Sequence, residues 1–500
     1  MKIMLVDPPA REDDYDKAYP NLGILQLISY VVEQTALTDD DVVFLDQFHS
    51  LDDHIRQIEE HKPAIYGISF AFLTQRLAYY TINEVKKRFP DLLVIAGGPH
   101  PTSVPEDVLE NTAADIVCIG EGETFMAEVV NKVHAGDFDF SKTLGVLHRV
   151  DGKMVNTGRR PSVADLDTLP FMAWDRIDFT KFVGQHYCKS TRQSCIVISR
   201  GCPYHCTFCS LPVWRVSKPS VRMRSPENIA REVQWLYELG VREIKIVSDE
   251  LNITLPWAKK VCRAIADLGH KDLYFQTNLR ADKMDNELAA LFADMNMWLV
   301  HLGCESSSDR VLTGIQKKIT IKQVEDTLVW LKRNNIRCLL FMMMFNMWEE
   351  KGELKFERPR EVLASLFWSW KQFLLGRMQY MTWSVTTPMP GAPLFDIVKR
   401  HGLDQTEDVL NHWDSNKDYL GIDLSSLGVA EWKKMWLLRA GILTKACFMM
   451  VSGQFDWRRH FFRVGILMRS FTGRWRVKRA RKNNNGPLFG GTPLRTKVEG

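Results

Sequence analysis

Arg200-Gly201-Cys202-Pro203-Tyr204-His205-Cys206-Thr207-Phe208-Cys209 places three cysteines within eight residues. The preceding run, Ile196–Ser199, reads as a short buried strand, so the motif falls on a loop at a strand's carboxyl end. Thiolates are soft ligands that suit an iron–sulfur cluster or zinc. Structural zinc asks for four protein ligands, usually as two separated pairs. Here there is one triplet with three-then-two spacing and no second pair nearby. A four-iron cube held by three cysteines keeps one iron open, and the amino and carboxylate groups of S-adenosylmethionine (SAM) suit that iron. Two other readings exist: His205 completing a zinc site, and a purely structural cluster. Phe208 belongs either to the apolar shell of a cluster or simply to the core.

Downstream of the motif, strands and longer helices alternate. Strands are expected near Glu243–Val247, Leu273–Gln276, Leu299–Gly303, Cys338–Met344 and Gln379–Ser384. With Ile196–Ser199 they make six βα units, too few for a complete eight-fold barrel, so a partial (β/α)6 barrel is expected over 195–401. Beyond His401 the pattern becomes helical and Trp-rich, with a basic helical region over 402–482 and a disordered tail over 483–500.

Upstream, the first 140 residues alternate short β-rich runs (Ile3–Val6, Val42–Leu45, Ile65–Phe70, Leu92–Ala96, Ile116–Ile119) with amphipathic stretches. The helices are expected at Leu22–Glu33, Asp52–His61, Arg76–Arg88, Val104–Asn111 and Glu123–His134. Apolar strands alternating with helices predict a doubly wound parallel sheet, an α/β fold whose ligand crevice lies at the carboxyl ends of its strands. The glycines of Gly97-Gly98-Pro99-His100 and Gly120-Glu121-Gly122-Glu123 let backbone approach a bulky ligand there. A hairpin at Asp151-Gly152 and a proline-punctuated connector fill 141–194.

In bulk the chain is ordinary. Of its 500 residues 45% are hydrophobic and 25% charged, and the formal net charge is +4. A chain of this balance is not a nucleic-acid binder as a whole, and its length implies more than one domain. The N-terminus lacks the pattern of a signal peptide, and no run of eighteen apolar residues predicts a transmembrane helix. Seven further cysteines are scattered, which fits buried thiols in a reducing cytoplasm.

The Cys-x3-Cys-x2-Cys spacing, with Gly201 before the first cysteine and Phe208 before the last, resembles the radical SAM superfamily. With the upstream sheet, about four hundred residues are similar to the branch that fuses a B12-binding domain to a radical SAM barrel. That branch includes cobalamin-dependent methyltransferases and the anaerobic magnesium-protoporphyrin ester cyclase. The resemblance implies a [4Fe–4S] cluster on Cys202, Cys206 and Cys209, SAM as cosubstrate, and cobalamin at Gly97, Gly98, Gly120 and Gly122. It also implies SAM contacts from Asp249 and Glu250 in Ser248-Asp249-Glu250, from Asn278 and Arg280 in Asn278-Leu279-Arg280-Ala281-Asp282, and from Glu305 and Ser306. Arg280 would pair with the SAM carboxylate, and Pro388-Met389-Pro390-Gly391 matches the family's turn after the sixth strand.

Two departures stand out. The glycine-rich turn expected after the fifth strand reads Met344-Phe345-Asn346-Met347-Trp348-Glu349. The Asp-x-His-x-x-Gly signature that gives a histidine to cobalt is absent, and Asp46-Gln47-Phe48-His49 has the wrong spacing.

The implied activity is C-methylation of an unactivated carbon through a 5′-deoxyadenosyl radical and methylcobalamin. The substrate would be apolar, a bacteriochlorophyllide-type tetrapyrrole or a hopanoid-like lipid. The alternative is oxidative cyclisation or hydroxylation of a tetrapyrrole, and a non-catalytic cobalamin or iron–sulfur protein is a third reading. An electron donor such as ferredoxin or flavodoxin is implied as partner. Between Asp456 and Lys482 ten Lys or Arg face one acidic residue. Such a segment suits either the surface of an anionic membrane or a helix docked on the barrel. The expected location is cytoplasmic, with peripheral membrane association as an option.

Overall fold

Ile3–Val6 is wholly buried and forms β1, an interior strand of the first sheet. The computed structural model describes residues 1–9, 19–182, 187–211, 219–404 and 422–452. After β1 come α1 (Leu22–Gln34), β2 (Val42–Leu45), α2 (Leu51–His61), β3 (Ile65–Ser69) and α3 (Gln75–Arg88). They are followed by β4 (Leu93–Gly97), α4 (Pro99–Ser103), α5 (Pro105–Asn111), β5 (Ile116–Cys118) and α6 (Glu123–His134). Asn21 caps α1 and Ser50 caps α2 by accepting backbone N–H groups of the first turn, the usual remedy for orphaned donors at a helix start. The strands run parallel in the order β2-β1-β3-β4-β5. That order reverses at β1 and β3, which places the crevice at the ends of those two strands.

The hairpin falls in a different place from the one its sequence position suggests. β6 (Val146–Val150) and β7 (Lys153–Asn156) extend the first sheet antiparallel to β5 instead of standing in a separate connector. Asp151 and Gly152 turn it at φ 50 and 75, a pairing suited to a two-residue hairpin loop. Val146 and Leu147 are buried by covering the edge of β5, which leaves no unpaired apolar edge there.

The second sheet has six parallel strands in the order β17-β14-β13-β12-β11-β8. They are β8 (Gln193–Ile196), β11 (Glu243–Ile246), β12 (Tyr274–Leu279), β13 (Met297–Glu305), β14 (Arg337–Met344) and β17 (Tyr380–Val385). Between β8 and β11 lie the short strands β9 (Ser199–Arg200) and β10 (Arg222–Met223), which pair antiparallel, and α7 (Pro226–Glu238). The outer layer continues with α8 (Leu255–Ala266), α9 (Asn286–Asp294), α10 (Asp309–Gly314), α11 (Ile321–Arg333), α12 (Pro359–Leu374) and α13 (Pro393–Arg400). Strands adjacent in sequence are adjacent in space, and β8 and β17 are left as edges, the arrangement of a partial (β/α)6 barrel.

The stretch after the fifth barrel strand, which lacks glycine at the expected turn, forms a hairpin of β15 (Met347–Glu350) and β16 (Glu353–Phe356). Its turn is made by Lys351 and Gly352, both with positive φ. A final helix, α14 (Glu431–Val451), packs along β17 and α12. There Phe448 stacks on Phe373 with ring centroids 4.0 Å apart, and Gly441 lets the helix meet the Trp383 indole. The basic segment after Asp456 and the tail from 483 lie outside the described residues.

Candidate cluster and cofactor site

The cysteine loop is held by backbone constraints before any cofactor is considered. Gly201 has φ +89, and a Cβ there would run into the Ser220 carbonyl oxygen, so only glycine fits. Its N–H donates to the Asp249 carboxylate at the end of β11. Beyond it, Thr207 N donates to Ile315 O at 3.0 Å and Thr207 Oγ1 to Met347 O at 3.3 Å. The loop is thus tied to the barrel at both ends.

Cys202 and Cys206 are buried and Cys209 is half-buried. Burial pushes the Cys202 thiol up to about 11 and also raises Cys209. A soft metal that replaces those protons overcomes this penalty. Among the described residues no three His, Cys, Asp or Glu side chains converge as the ligands of one ion would. Thiolates that each bind a different iron of a cube need no such convergence, and the three soft sulfurs on one loop fit a cluster.

Arg280, which follows β12, is the loop's main brace. Its Nε donates to Asp282 at 2.9 Å, Nη2 to the Lys317 carbonyl at 2.6 Å, and Nη1 lies 3.9 Å from Cys206 Sγ. The guanidinium sits 3.3 Å from the centroid of the Tyr204 ring, whose hydroxyl donates to Asp282. The resemblance gives this fork to the SAM carboxylate, and here it contacts Asp282, the Lys317 carbonyl and the cysteine loop.

Glu250 is buried, accepts the Arg280 backbone N–H at 3.1 Å, and is pushed up to about 8 by burial. Glu305 pairs with Lys317 at 2.9 Å and has φ 69, where the pairing of β13 with β14 slips by one residue. Ser306 turns the other way, its Oγ donating to buried Glu357 at 2.6 Å. The neighbouring polar atoms Ser248 Oγ and Asn278 Oδ1 are buried without a hydrogen-bond partner. Their position at the ends of β11 and β12 suits a polar ligand above the cysteine loop.

In the first sheet the glycines differ in purpose. Gly98, at φ +101, brings its backbone so close to Phe70 and Ser69 that a Cβ would lie 2.9 Å from three of their atoms. Gly97 makes only ordinary contact with Cys118, and a Cβ on Gly122 would press on Leu27 at 3.1 Å. Gly120, at φ +103, has nothing within 4 Å of its would-be Cβ and faces open space. Nearby, His100 Nδ1 is buried and unpartnered, while its Nε2 lies 3.2 Å from the Tyr79 hydroxyl. The open space at Gly120 and the orphaned polar atom of His100 suit a large polar ligand such as cobalamin. His49 is folded back on Asp46 at 2.9 Å.

The acids of the Gly120–Glu123 loop were not legible as functional from sequence. Glu121 holds Arg222 through two hydrogen bonds, and Glu123 accepts from Arg200 at 2.6 Å. Burial would raise Glu121, but the hydrogen bond from Arg222 and the charge of Arg200 hold it below the usual carboxylate range. The loop beside the first crevice is thereby fastened to the strands that launch the cysteine loop. Two acids alternating with glycines, and two arginines flanking the cysteines, were the available signal.

A doubly wound sheet locked to a partial barrel with a three-cysteine loop defines a two-cofactor radical enzyme. The Radical SAM superfamily matches residues 196–353, and the B12 binding domain matches residues 16–130. The chain thus carries a B12-binding domain followed by a radical SAM domain. Its cofactors are a [4Fe–4S] cluster, SAM and cobalamin. An uncharacterised methyltransferase of Pyrococcus horikoshii is 27% identical over 410 residues, 81% of this chain and 84% of that protein. The anaerobic magnesium-protoporphyrin IX monomethyl ester cyclase of Rubrivivax gelatinosus is 29% identical over 309 residues, 59% of this chain and 54% of that protein. The radical SAM methyltransferase TsrM of Kitasatospora setae, solved with cobalamin and a [4Fe–4S] cluster, shares the fold with a TM-score of 0.64 at 17% identity. That match covers 80% of this chain and 78% of TsrM. No helix among the described residues is long and apolar enough to cross a membrane.

Proposed function

We propose that this enzyme methylates an unactivated carbon of an apolar-bodied small molecule, with a bacteriochlorophyllide-type tetrapyrrole favoured over a lipid. The relation to a methyltransferase over most of both chains supports the reaction, and the relation to the ester cyclase supports the substrate body. One observation carries the reading: the Glu121–Arg222 and Glu123–Arg200 contacts fix the crevice of the first sheet against the mouth of the barrel. Two cofactors that must act on one carbon need such a fixed register.

When bound, the cluster and SAM supply a carbon radical that removes a hydrogen atom, and cobalamin supplies the methyl group. In this reading Cys202, Cys206 and Cys209 hold the cluster, and Arg280 and Asp249 position their loop. Ser248 and Asn278 offer free polar atoms to SAM. Glu305 and Lys317 form a paired charge beside it, while Gly98 and Gly120 shape the cobalamin crevice. Tyr187, Trp298, Leu299, Leu339 and Tyr380 pack together at the lower end of the barrel and close it to water. A ferredoxin or flavodoxin serves as electron donor. Peripheral membrane association through the basic segment after Asp456 rests on sequence alone, and flotation with anionic vesicles tests it.

The second reading, oxidative cyclisation or hydroxylation of a tetrapyrrole, is favoured by the cyclase relationship. Anaerobic reconstituted protein, reduced and given SAM and a tetrapyrrole, separates the two. The methylase yields both 5′-deoxyadenosine and S-adenosylhomocysteine; the alternative yields no stoichiometric S-adenosylhomocysteine. Cys206→Ala is expected to lose the brown colour and all SAM cleavage, and a variant that kept a full cluster would refute the ligand assignment.

A further inference from the structure

Among the described residues two lysines are buried, Lys317 and Lys245. Lys317 is paired with Glu305. Lys245, 8% exposed, has no carboxylate partner and no hydrogen-bond acceptor among the described residues. An ammonium drawn largely out of water without a counter-charge beside it is costly, so its position calls for an explanation.

Strand parity gives its direction. Ile244 and Ile246 of β11 pack outward with the helix layer, so Lys245 between them points into the barrel lumen. Its register partners are Cys195 on β8 and Gln276 on β12. The acid on the same face of β11, Glu243, is fully used. It accepts from Lys189 N, Ser190 N, Gln276 Nε2 and Trp298 Nε1. His301 gives its Nε2 to Gln276 Oε1 at 2.9 Å, and burial holds it neutral. The Tyr19 ring lies 5.9 Å from the ammonium, and the buried Tyr19 hydroxyl also lacks a partner. Burial alone lowers the Lys245 pKa, with only the Cys195 thiol opposing.

We propose that Lys245, with the Tyr19 hydroxyl, anchors a carboxylate of the substrate inside the barrel. This deepens the methylase reading and rests on the lumen being the substrate chamber. A carboxylate is favoured over a phosphate because one cation neutralises one negative charge, and none of Tyr19, Cys195 and His301 supplies a second. The anchor selects an apolar body with an acidic end and disfavours a purely neutral hydrocarbon.

Full-length, anaerobically reconstituted protein with SAM bound tests this with two matched pairs: decanoate against decanamide by calorimetry, and protoporphyrin IX against its dimethyl ester by quenching of tryptophan fluorescence. The wild type is expected to bind the acids about tenfold more tightly than their neutral partners, and Lys245→Met to erase that preference while leaving the neutral partners unchanged. Lys245→Met should also melt at or above the wild-type temperature, because an unpaired buried charge has been removed. Equal binding of acid and neutral partner, no binding of either acid, an unchanged preference in Lys245→Met, or a lower melting temperature for that variant would overturn the assignment. Cluster content, measured on the same preparations, is expected to be equal in the two proteins. A wild type that prefers acids but never cleaves SAM would sink the radical reading and leave the anchor standing.

Discussion

Glu121 grips Arg222 with hydrogen bonds of 2.6 and 2.9 Å across the boundary between the two sheets. Glu121 lies beside the open glycine of the first crevice, while Arg222 pairs with Arg200, the residue two before the first cluster cysteine. Arg222 is 5% exposed, so the pair is desolvated. Its value lies less in net stability than in fixing one register, since removing a single partner leaves a buried charge uncompensated.

Glu121→Gln keeps the shape and deletes the charge. Loss of one partner from a buried pair costs about 3 kcal/mol. The expected result is a denaturant profile that splits into two transitions, with faster hydrogen exchange at 119–123 and 199–202. A single transition at the wild-type midpoint would show that the pair does not couple the sheets.

Arg280→Lys preserves charge but loses the planar fork and the stack on Tyr204. If Arg280 positions the cysteine loop, kcat for SAM cleavage should fall about tenfold with KM for SAM nearly constant, and the cluster's EPR signal should change shape. A KM increase of about tenfold at unchanged kcat would instead put Arg280 on the SAM carboxylate.

His54 sits fully buried under the first sheet, its Nδ1 2.7 Å from the Tyr66 hydroxyl. Burial lowers its pKa from 6.5 to about 4. Between those values the unfolded chain binds a proton that the folded chain refuses. Stability therefore falls as pH drops from 6.5 towards 4 and levels off below, a loss of about 3 kcal/mol. His100, lowered to about 4 by burial, acts in the same direction. His54→Gln should flatten the urea midpoint across pH 7, 6 and 5 relative to wild type; parallel curves would refute the assignment.

The sequence by itself determined the two sheets and the cysteine loop. Those features rest on local physics: buried strands read as apolar runs, helices as periodic ones, and a Cys-x3-Cys-x2-Cys loop needs no partner from elsewhere to be recognised. Only the tertiary structure decided what the polar residues do. Arg280 braces Tyr204 and Asp282, Ser306 serves Glu357, and the acids of a glycine loop clasp two arginines of the other sheet. Lys245 likewise reads as an ordinary strand residue until the parity of β11 turns it into the lumen and Glu243 is found occupied. A charged side chain takes its role from partners distant in sequence and from the water that packing removes, and neither is written in its neighbours along the chain.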